Sequence, residues 1–133
     1  ILRYGVMHRN TFINSPQLLE PSLQCRTRKD LFFAGQLTGT EGYTESVATG
    51  MLAGINMARF LKGEALLVLP NITMLGALTH YICDCEQKHF QPINSNWGIV
   101  EELNVDRKIK KNKKLKNEML SNRSLEYLRN LSV

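Results

Sequence analysis

The strongest structural pattern in the sequence is found at residues 31–59, LFFAGQLTGTEGYTESVATGMLAGINMAR. Its first four residues form an apolar burst bounded by charge and glycine, which predicts a short buried strand of the parallel kind. A glycine-punctuated turn follows over residues 35–43. From about Thr44 to Phe60 the pattern predicts a long helix, which Lys62 and Gly63 end. The order of strand, glycine turn and helix predicts an α/β unit.

The composition of the glycine turn is typical of a ligand-binding site. A strand, a glycine turn and a helix together present backbone N–H groups and the positive end of the helix to an anion. The turn lacks the lysine of a Walker loop and the G-x-G-x-x-G spacing, so the pattern predicts a ligand at the helix N-terminus without identifying it. Glu41 and Glu45 lie at helical spacing here, and we expect them to favour the positive helix end rather than to form an acid/base pair.

The predicted helix carries a stripe of small residues at every fourth position. A glycine in a helix interior costs up to about 1 kcal/mol, so two of them on one stripe need a reason. Close approach of another backbone or a flat ligand supplies one, and ordinary tight packing against a sheet is compatible with it. The stripe consists of Ser46, Gly50, Gly54 and Ala58, and the adjoining apolar face consists of Val47, Met51 and Ile55.

On either side of residues 31–59 the sequence predicts shorter, separate elements. On the N-terminal side, Pro16 predicts a break in the pattern, and residues 24–28 predict an edge strand. On the C-terminal side, Thr73 is expected to cap a second helix that runs to about Cys83. Residues 84–98 read as a polar, irregular loop, and residues 106–131 are helical in pattern.

Charge divides the 133-residue chain, whose formal net charge is +5. Residues 107–133 hold nine Lys and Arg against two acids, whereas the rest of the chain is slightly acidic. We therefore divide the chain into a body, residues 1–105, and a basic helical tail, residues 106–133. The tail's lysine run attracts phosphates through counterion release, and a solvated helix face is the favoured alternative. The candidate RNA-binding residues are Lys108, Lys110, Lys111, Lys113 and Lys114.

Composition and cysteine usage exclude several classes of protein. With 43% apolar residues the chain is not wholly disordered. No apolar run approaches the length of a membrane span, and no leader precedes the body, so we expect a cytoplasmic protein without a membrane partner. Cys83 and Cys85 are too close for a relaxed disulfide, and we expect all three cysteines to be reduced. With His80 and His89 they match no standard metal-site spacing, so no metal is predicted.

Four ordered blocks of the sequence resemble the GidA-related flavoproteins, and among these the folate- and FAD-dependent tRNA uridine methyltransferases. The blocks are residues 3–19 (RYGVMHRNTFINSPQLL), 31–59, 75–82 (LGALTHYI) and 89–98 (HFQPINSNWG). The resemblance covers most of residues 2–100 and leaves the basic tail outside. It implies an α/β fold class, namely the C-terminal half of a GidA-type, Rossmann-like FAD-binding domain.

The resemblance also implies an activity and its cofactors. It implies methylation at C5 of a uridine in the tRNA T-loop, with 5,10-methylenetetrahydrofolate as carbon donor, reduced FAD as reductant and NAD(P)H as the source of electrons. The same chemistry on ribosomal RNA, and a non-catalytic flavin- or RNA-binding remnant, are the alternatives. The implied cofactor-binding residues are Gly35, Gln36, Thr38, Gly39, Glu41, Gly42, Tyr43 and Thr44.

The resemblance also implies specific binding roles for single residues. Tyr43, the one candidate catalytic residue, is expected to stack near the flavin or the folate, and a ring that closes the core is its alternative. His8, Arg9 and Asn10 are candidate substrate-binding residues, and purely structural roles are the alternative. None of the cysteines lies on a motif that identifies a catalytic cysteine, so no nucleophile is assigned.

The chain also departs from the family pattern. It opens on Ile1, and it lacks the family's N-terminal G-x-G-x-x-G and the inserted domain that holds part of the catalytic machinery. We therefore expect a segment that is incomplete without its N-terminal half and whose partners include the N-terminal and insertion parts of the same enzyme. By itself it should bind FAD poorly and be inactive.

Overall fold

The computed structural model describes residues 11–84, 86, 90–106, 109 and 111–131. Over these residues the regular structure is helical, and extended segments meet only at isolated bridges. The bridges pair Leu19 with Cys25 and Gln24 with Phe32 in antiparallel fashion, and Thr40 with Ile93 in parallel fashion. The elements are α1 (Ser15–Leu18), a 3-10 turn (Gly35–Thr38), α2 (Tyr43–Leu61), α3 (Met74–Cys83) and α4 (Lys113–Arg129).

The predicted parallel strand at residues 31–34 is wrong in its pairing and in its burial. Its one bridge is antiparallel, and all four residues are half-buried. Cys25 N donates to Leu31 O at 2.8 Å, and Phe33 N donates to Leu23 O at 3.1 Å. A strand satisfies its backbone groups through neighbours, and among the described residues the 19–25 segment is the neighbour this stretch has. The α/β architecture implied by the resemblance is therefore not confirmed.

The segment before the turn also differs from its predicted structure. Pro16 does not break the pattern but lies in the first turn of α1. The first N–H groups of a helix have no intrahelical partner, so a proline costs little there. The predicted edge strand at 24–28 is reduced to the bridges of Gln24 and Cys25.

The predicted bounds of α2 and α3 are confirmed to within one residue. The longer helix extends one residue beyond each predicted end. At the start of α3, the Thr73 hydroxyl accepts a hydrogen bond from Gly76 N at 3.0 Å, so Thr73 is the cap that the sequence indicates. The buried face of α2 is not the predicted apolar one: it consists of Thr49, Leu52, Ala53 and Asn56.

The core lies between α2, α3 and the segment that follows α1. Its main cluster is aliphatic, and a smaller cluster connects α3 to the tail helix through Ala77, Val100 and Leu120. These contacts hold α2 at its middle, through Leu52 and Ala53, and Tyr43 and Thr44 at its N-terminal end are exposed. The buried members of the main cluster are Leu19, Leu23, Cys25, Leu52, Ala53, Leu78, Ile82 and Cys83.

The tail helix is anchored at a single buried position. Asn112 caps α4 by accepting from Leu115 N at 3.2 Å, and Leu120 is buried, whereas Leu125 and Leu128 are exposed. Of these three leucines, Leu120 alone lies in the core. Among the residues that the structure describes, no helix has the length and hydropathy that crossing a bilayer requires.

Candidate functional site

Three buried threonine hydroxyls fix the shape of the glycine turn. The Gly35 carbonyl accepts from Thr38 Oγ1 at 2.7 Å and from Thr40 Oγ1 at 2.8 Å. The Gly35 N–H donates to Thr49 Oγ1, on α2, at 3.0 Å. Because all three threonines are fully buried, these bonds join the turn to the helix in a place that water does not reach.

Two glycines are required by the backbone and by their neighbours. Gly39 has a φ of +84°, and a Cβ there would lie 2.5 Å from Cζ of Phe90. Gly42 has a φ of +95°, and a Cβ there would meet the Glu45 carboxylate. Residues that carry a Cβ rarely adopt such positive φ values. Glycine is therefore needed at both positions to form this turn.

The mouth of the turn is open and concave. A cavity of about 320 Å³ is lined by Gln36, Gly42, Tyr43 and Ser46. Gly42, the residue before α2, supplies no side-chain cap, and within the first turn the Glu45 carboxylate accepts a hydrogen bond from its own backbone N–H. Tyr43 is 95% exposed and does not close the core. An uncapped helix end beside a cavity suits an anionic or polar ligand.

A second segment, the 90–96 loop, crosses the turn. Ile93 N donates to Gly39 O at 3.0 Å, and Glu41 N donates to Ile93 O at 2.9 Å. Ser95 donates to Glu45 Oε1 from its hydroxyl at 2.6 Å and from its backbone N–H at 3.1 Å. The hydroxyl bond is the main reason that the pKa of Glu45 is lower than its ordinary value. The sequence pattern does not predict that this loop contacts the turn.

The structure brings the eight predicted cofactor-binding residues together in one turn and the start of α2. Five of them are exposed at the mouth: Gln36, Glu41, Gly42, Tyr43 and Thr44. Thr38 is turned inward, and Gly35 and Gly39 contribute backbone shape. Their roles toward a ligand stay predictions.

Other predicted residues are placed only in part. His8, Arg9, Asn10, Lys108 and Lys110 lie outside the described residues. The three remaining lysines of the candidate RNA-binding set are exposed around the start of α4, and their role stays a prediction. They are Lys111, Lys113 and Lys114.

A larger cavity, of about 720 Å³, lies away from the turn, and Glu20 and Arg26 form an ion pair in its wall. In its wall Arg26 contacts Glu20 at 2.7 Å and donates to the Cys83 carbonyl at 3.2 Å. Burial raises the pKa of the Cys83 thiol to about 12, which leaves almost no thiolate for nucleophilic chemistry. Within the described part of the chain, no group of three His, Cys, Asp or Glu side chains is placed to hold a metal.

Comparison with known proteins shows what the chain is similar to. The sequence profile of the family described as "Glucose inhibited division protein A" matches residues 1–65, which contain the turn and α2. Residues 1–65 are therefore similar to the GidA family. The chain's similarity to individual proteins extends beyond that match.

Three similar proteins carry the printed name methylenetetrahydrofolate–tRNA-(uracil-5-)-methyltransferase TrmFO. The protein of Bacillus subtilis is 55% identical over 132 residues, which are 99% of this chain and 30% of the relative. That of Exiguobacterium sp. is 57% identical over 129 residues, 96% of this chain and 29% of the relative. That of Brevibacillus brevis is 54% identical over 132 residues, with 99% and 30% covered. The chain therefore spans about 30% of the length of these relatives.

Proposed function

We propose that this chain is the C-terminal part of a tRNA methyltransferase that makes 5-methyluridine in the T-loop. In this proposal 5,10-methylenetetrahydrofolate donates the carbon, reduced FAD is the reductant and NAD(P)H supplies the electrons. The observation that carries the proposal is the 54–57% identity, over 96–99% of the chain, to relatives named for this activity. The concave turn at the uncapped start of α2 supplies a site that suits it.

The residues of the turn fit a flavin. The cavity at the mouth is open, its glycines keep side chains away from a ligand, and the helix end carries partial positive charge. When bound, FAD supplies the electrons that convert a methylene group into a methyl group. The helix end favours negative charge on a ring or a phosphate beside it, and the Gln36 side chain is free of the core and positioned to hydrogen-bond a polar ring edge.

Tyr43 is proposed as the stacking residue of the site. Its ring is almost fully exposed next to the cavity, although an aromatic side chain normally buries much of its surface. A planar flavin or pterin ring provides the apolar surface that the Tyr43 ring lacks among the described residues. This arrangement orients a ring at the helix mouth and excludes water from one of its faces.

The rest of the proposed enzyme completes the α/β domain. We propose that the dinucleotide-binding half and the insertion domain are provided by the other parts of the same protein, because relatives with the proposed activity are about three times as long. An apolar face of α2 is uncovered here: Val47 is 73% exposed and Met51 59%. We propose a cytoplasmic location, with tRNA contacted by the lysines at the start of α4.

The experiment is a transfer assay with a full-length protein that contains these 133 residues. We expect the purified protein to be yellow and to transfer the folate carbon to a T-loop uridine of a tRNA transcript. A transcript with cytidine at that position is the control, and a ribosomal RNA fragment tests the alternative substrate. A protein that stays colourless when FAD is supplied, and that transfers no carbon, contradicts the proposal and favours a non-catalytic remnant.

A further inference from the structure

We propose that Ser46 is a flavin-binding residue, whose hydroxyl forms a hydrogen bond with a polar atom of the flavin ring. The inference rests on the proposed function and deepens it. The resemblance implies cofactor-binding residues only within 35–44, and the sequence pattern assigns Ser46 to the small-residue stripe of the helix. The structure adds this side chain to the site.

Ser46 lies in the wall of the cavity beside the turn. The described residues that line this cavity of about 320 Å³ are Gln36, Gly42, Tyr43 and Ser46. Small-molecule sites have volumes of about 300–1,000 Å³, so this cavity suits one ring system rather than a whole dinucleotide. Ser46 is half-buried, whereas the other three lining residues are exposed. Its side chain is therefore the one that the fold holds most closely.

The Ser46 hydroxyl is available to a ligand. The backbone of Ser46 is engaged, because its N–H donates to Gly42 O at 3.1 Å and its carbonyl accepts from Thr49 Oγ1 at 3.2 Å. Its hydroxyl forms no hydrogen bond with another described residue. The next hydroxyl of the helix behaves differently, since Thr49 Oγ1 donates to the Glu45 carbonyl at 2.8 Å. A free hydroxyl in a cavity wall can both donate to and accept from a bound ring.

The position of Ser46 against the turn explains why its side chain is small. A Cβ built on Gly35 would lie 3.6 Å from Ser46 Cβ and 3.7 Å from Ser46 Oγ, so the turn lies close to this side chain. A larger residue at 46 would extend into the cavity. Gly50 and Gly54, further along the stripe, have nothing within 4 Å of a Cβ position. Within the stripe, Ser46 is therefore the member that belongs to the ligand site.

The decisive variant is Ser46→Ala in the full-length protein, which removes the hydroxyl and leaves the Cβ. Alanine favours a helix, so we expect the variant to fold. Titration of the apoprotein with FAD should give a dissociation constant about fivefold higher than that of the wild type, the effect of one lost hydrogen bond. The visible absorption band of the bound flavin should also shift, because the lost bond is to the ring.

Two further variants separate the hydroxyl from the space around it. Ser46→Leu fills the cavity and should raise the FAD dissociation constant by at least about tenfold. Ser124→Ala, the same change on α4 and away from the cavity, is the control and should leave the constant within about twofold.

An FAD dissociation constant within about twofold of the wild type in Ser46→Ala overturns the inference. An unshifted flavin band overturns it as well, because the hydroxyl then does not contact the ring. So does a larger rise in the KM for methylenetetrahydrofolate than in the FAD constant, or a variant that does not fold. A wild-type protein that binds FAD keeps the proposed function in all these cases, whereas one that binds no FAD removes both proposals.

Discussion

Asn56 and Leu67 exchange two hydrogen bonds inside the protein. Leu67 N donates to Asn56 Oδ1 at 2.6 Å, and Asn56 Nδ2 donates back to Leu67 O at 2.8 Å. The same Nδ2 also donates to Ser22 O at 2.9 Å. Asn56 is fully buried, so this one amide connects α2 both to the segment that follows it and to the segment that precedes the turn.

Replacing Asn56 with leucine should strongly destabilise the protein. Leucine has a similar volume, but it leaves three backbone groups without partners, and each costs about 1–3 kcal/mol when buried. We expect a loss of about 3 kcal/mol or more, measured by urea-induced unfolding. Asn130→Ala, at an exposed position after α4, should change stability by less than about 0.5 kcal/mol. A loss below about 1 kcal/mol for Asn56→Leu would show that water replaces the amide.

Gly39→Ala should cost more than Gly63→Ala. Both glycines have positive φ, +84° and +72°, so alanine is strained at either by about 1 kcal/mol. Only Gly39 has a neighbour in the way, the Phe90 ring, whereas nothing lies within 4 Å of the Cβ position at Gly63. Gly39→Ala should also loosen the 90–96 loop, which faster hydrogen exchange of the Ile93 amide would report. Equal losses of stability would show that the Phe90 ring moves aside at no cost.

Gly50→Ala should have opposite effects in the two forms of the protein. In the 133-residue chain nothing lies within 4 Å of a Cβ at Gly50, so alanine should stabilise α2 by about 0.5–1 kcal/mol. In a full-length protein we expect the remaining parts of the enzyme to cover the small-residue stripe that contains Gly50, and the added methyl group should then destabilise by about 1–3 kcal/mol. Thermal unfolding of both forms measures the difference. Stabilisation in both would mean that the face stays open.

Cys83 should resist thiol reagents and make the protein sensitive to alkali. Burial raises the pKa of Cys83 to about 12, whereas hydrogen bonding to Thr27 lowers the pKa of Cys25. In a Cys85→Ser background at pH 8 we expect Cys25 to be labelled before Cys83, as mass spectrometry would show. The raised pKa contributes stability that is complete below the unfolded thiol pKa of about 8.5 and is lost as the pH rises towards the folded value. Cys83→Ala should therefore reduce the alkaline loss of stability, and unchanged sensitivity would contradict this.

The lysines at the start of α4 should account for part of the salt dependence of tRNA binding. Changing Lys111, Lys113 and Lys114 together to glutamine should lower the slope of log K against log salt by about 2–3, because each phosphate contact contributes about 0.7–0.9. Filter binding at several salt concentrations measures the slope. The exposed Lys62 at the end of α2, changed to glutamine, is the control. An unchanged slope in the triple variant would show that these lysines serve only solubility.

Features that depend on near neighbours in the chain were predictable from the sequence. The bounds of α2 and α3 follow from periodicity and from local end signals, such as the threonine hydroxyl at residue 73 that caps α3. The glycines of the turn likewise indicate positive φ angles, which other residues rarely adopt. The sequence alone therefore indicates that the turn before α2 is a candidate site.

Features that depend on distant partners were decided by the tertiary structure. The 31–34 segment reads as a buried strand, but a strand is defined by what lies beside it, and here that is one antiparallel bridge. The buried face of α2 runs through Asn56 rather than through Val47 and Met51, because the carbonyls of residues 22 and 67 meet it in space. The pairing of Glu45 with Ser95 has no local signal. The sequence determines the chemistry of each side chain. Its interaction partner depends on tertiary packing, which brings together residues that are far apart in the sequence.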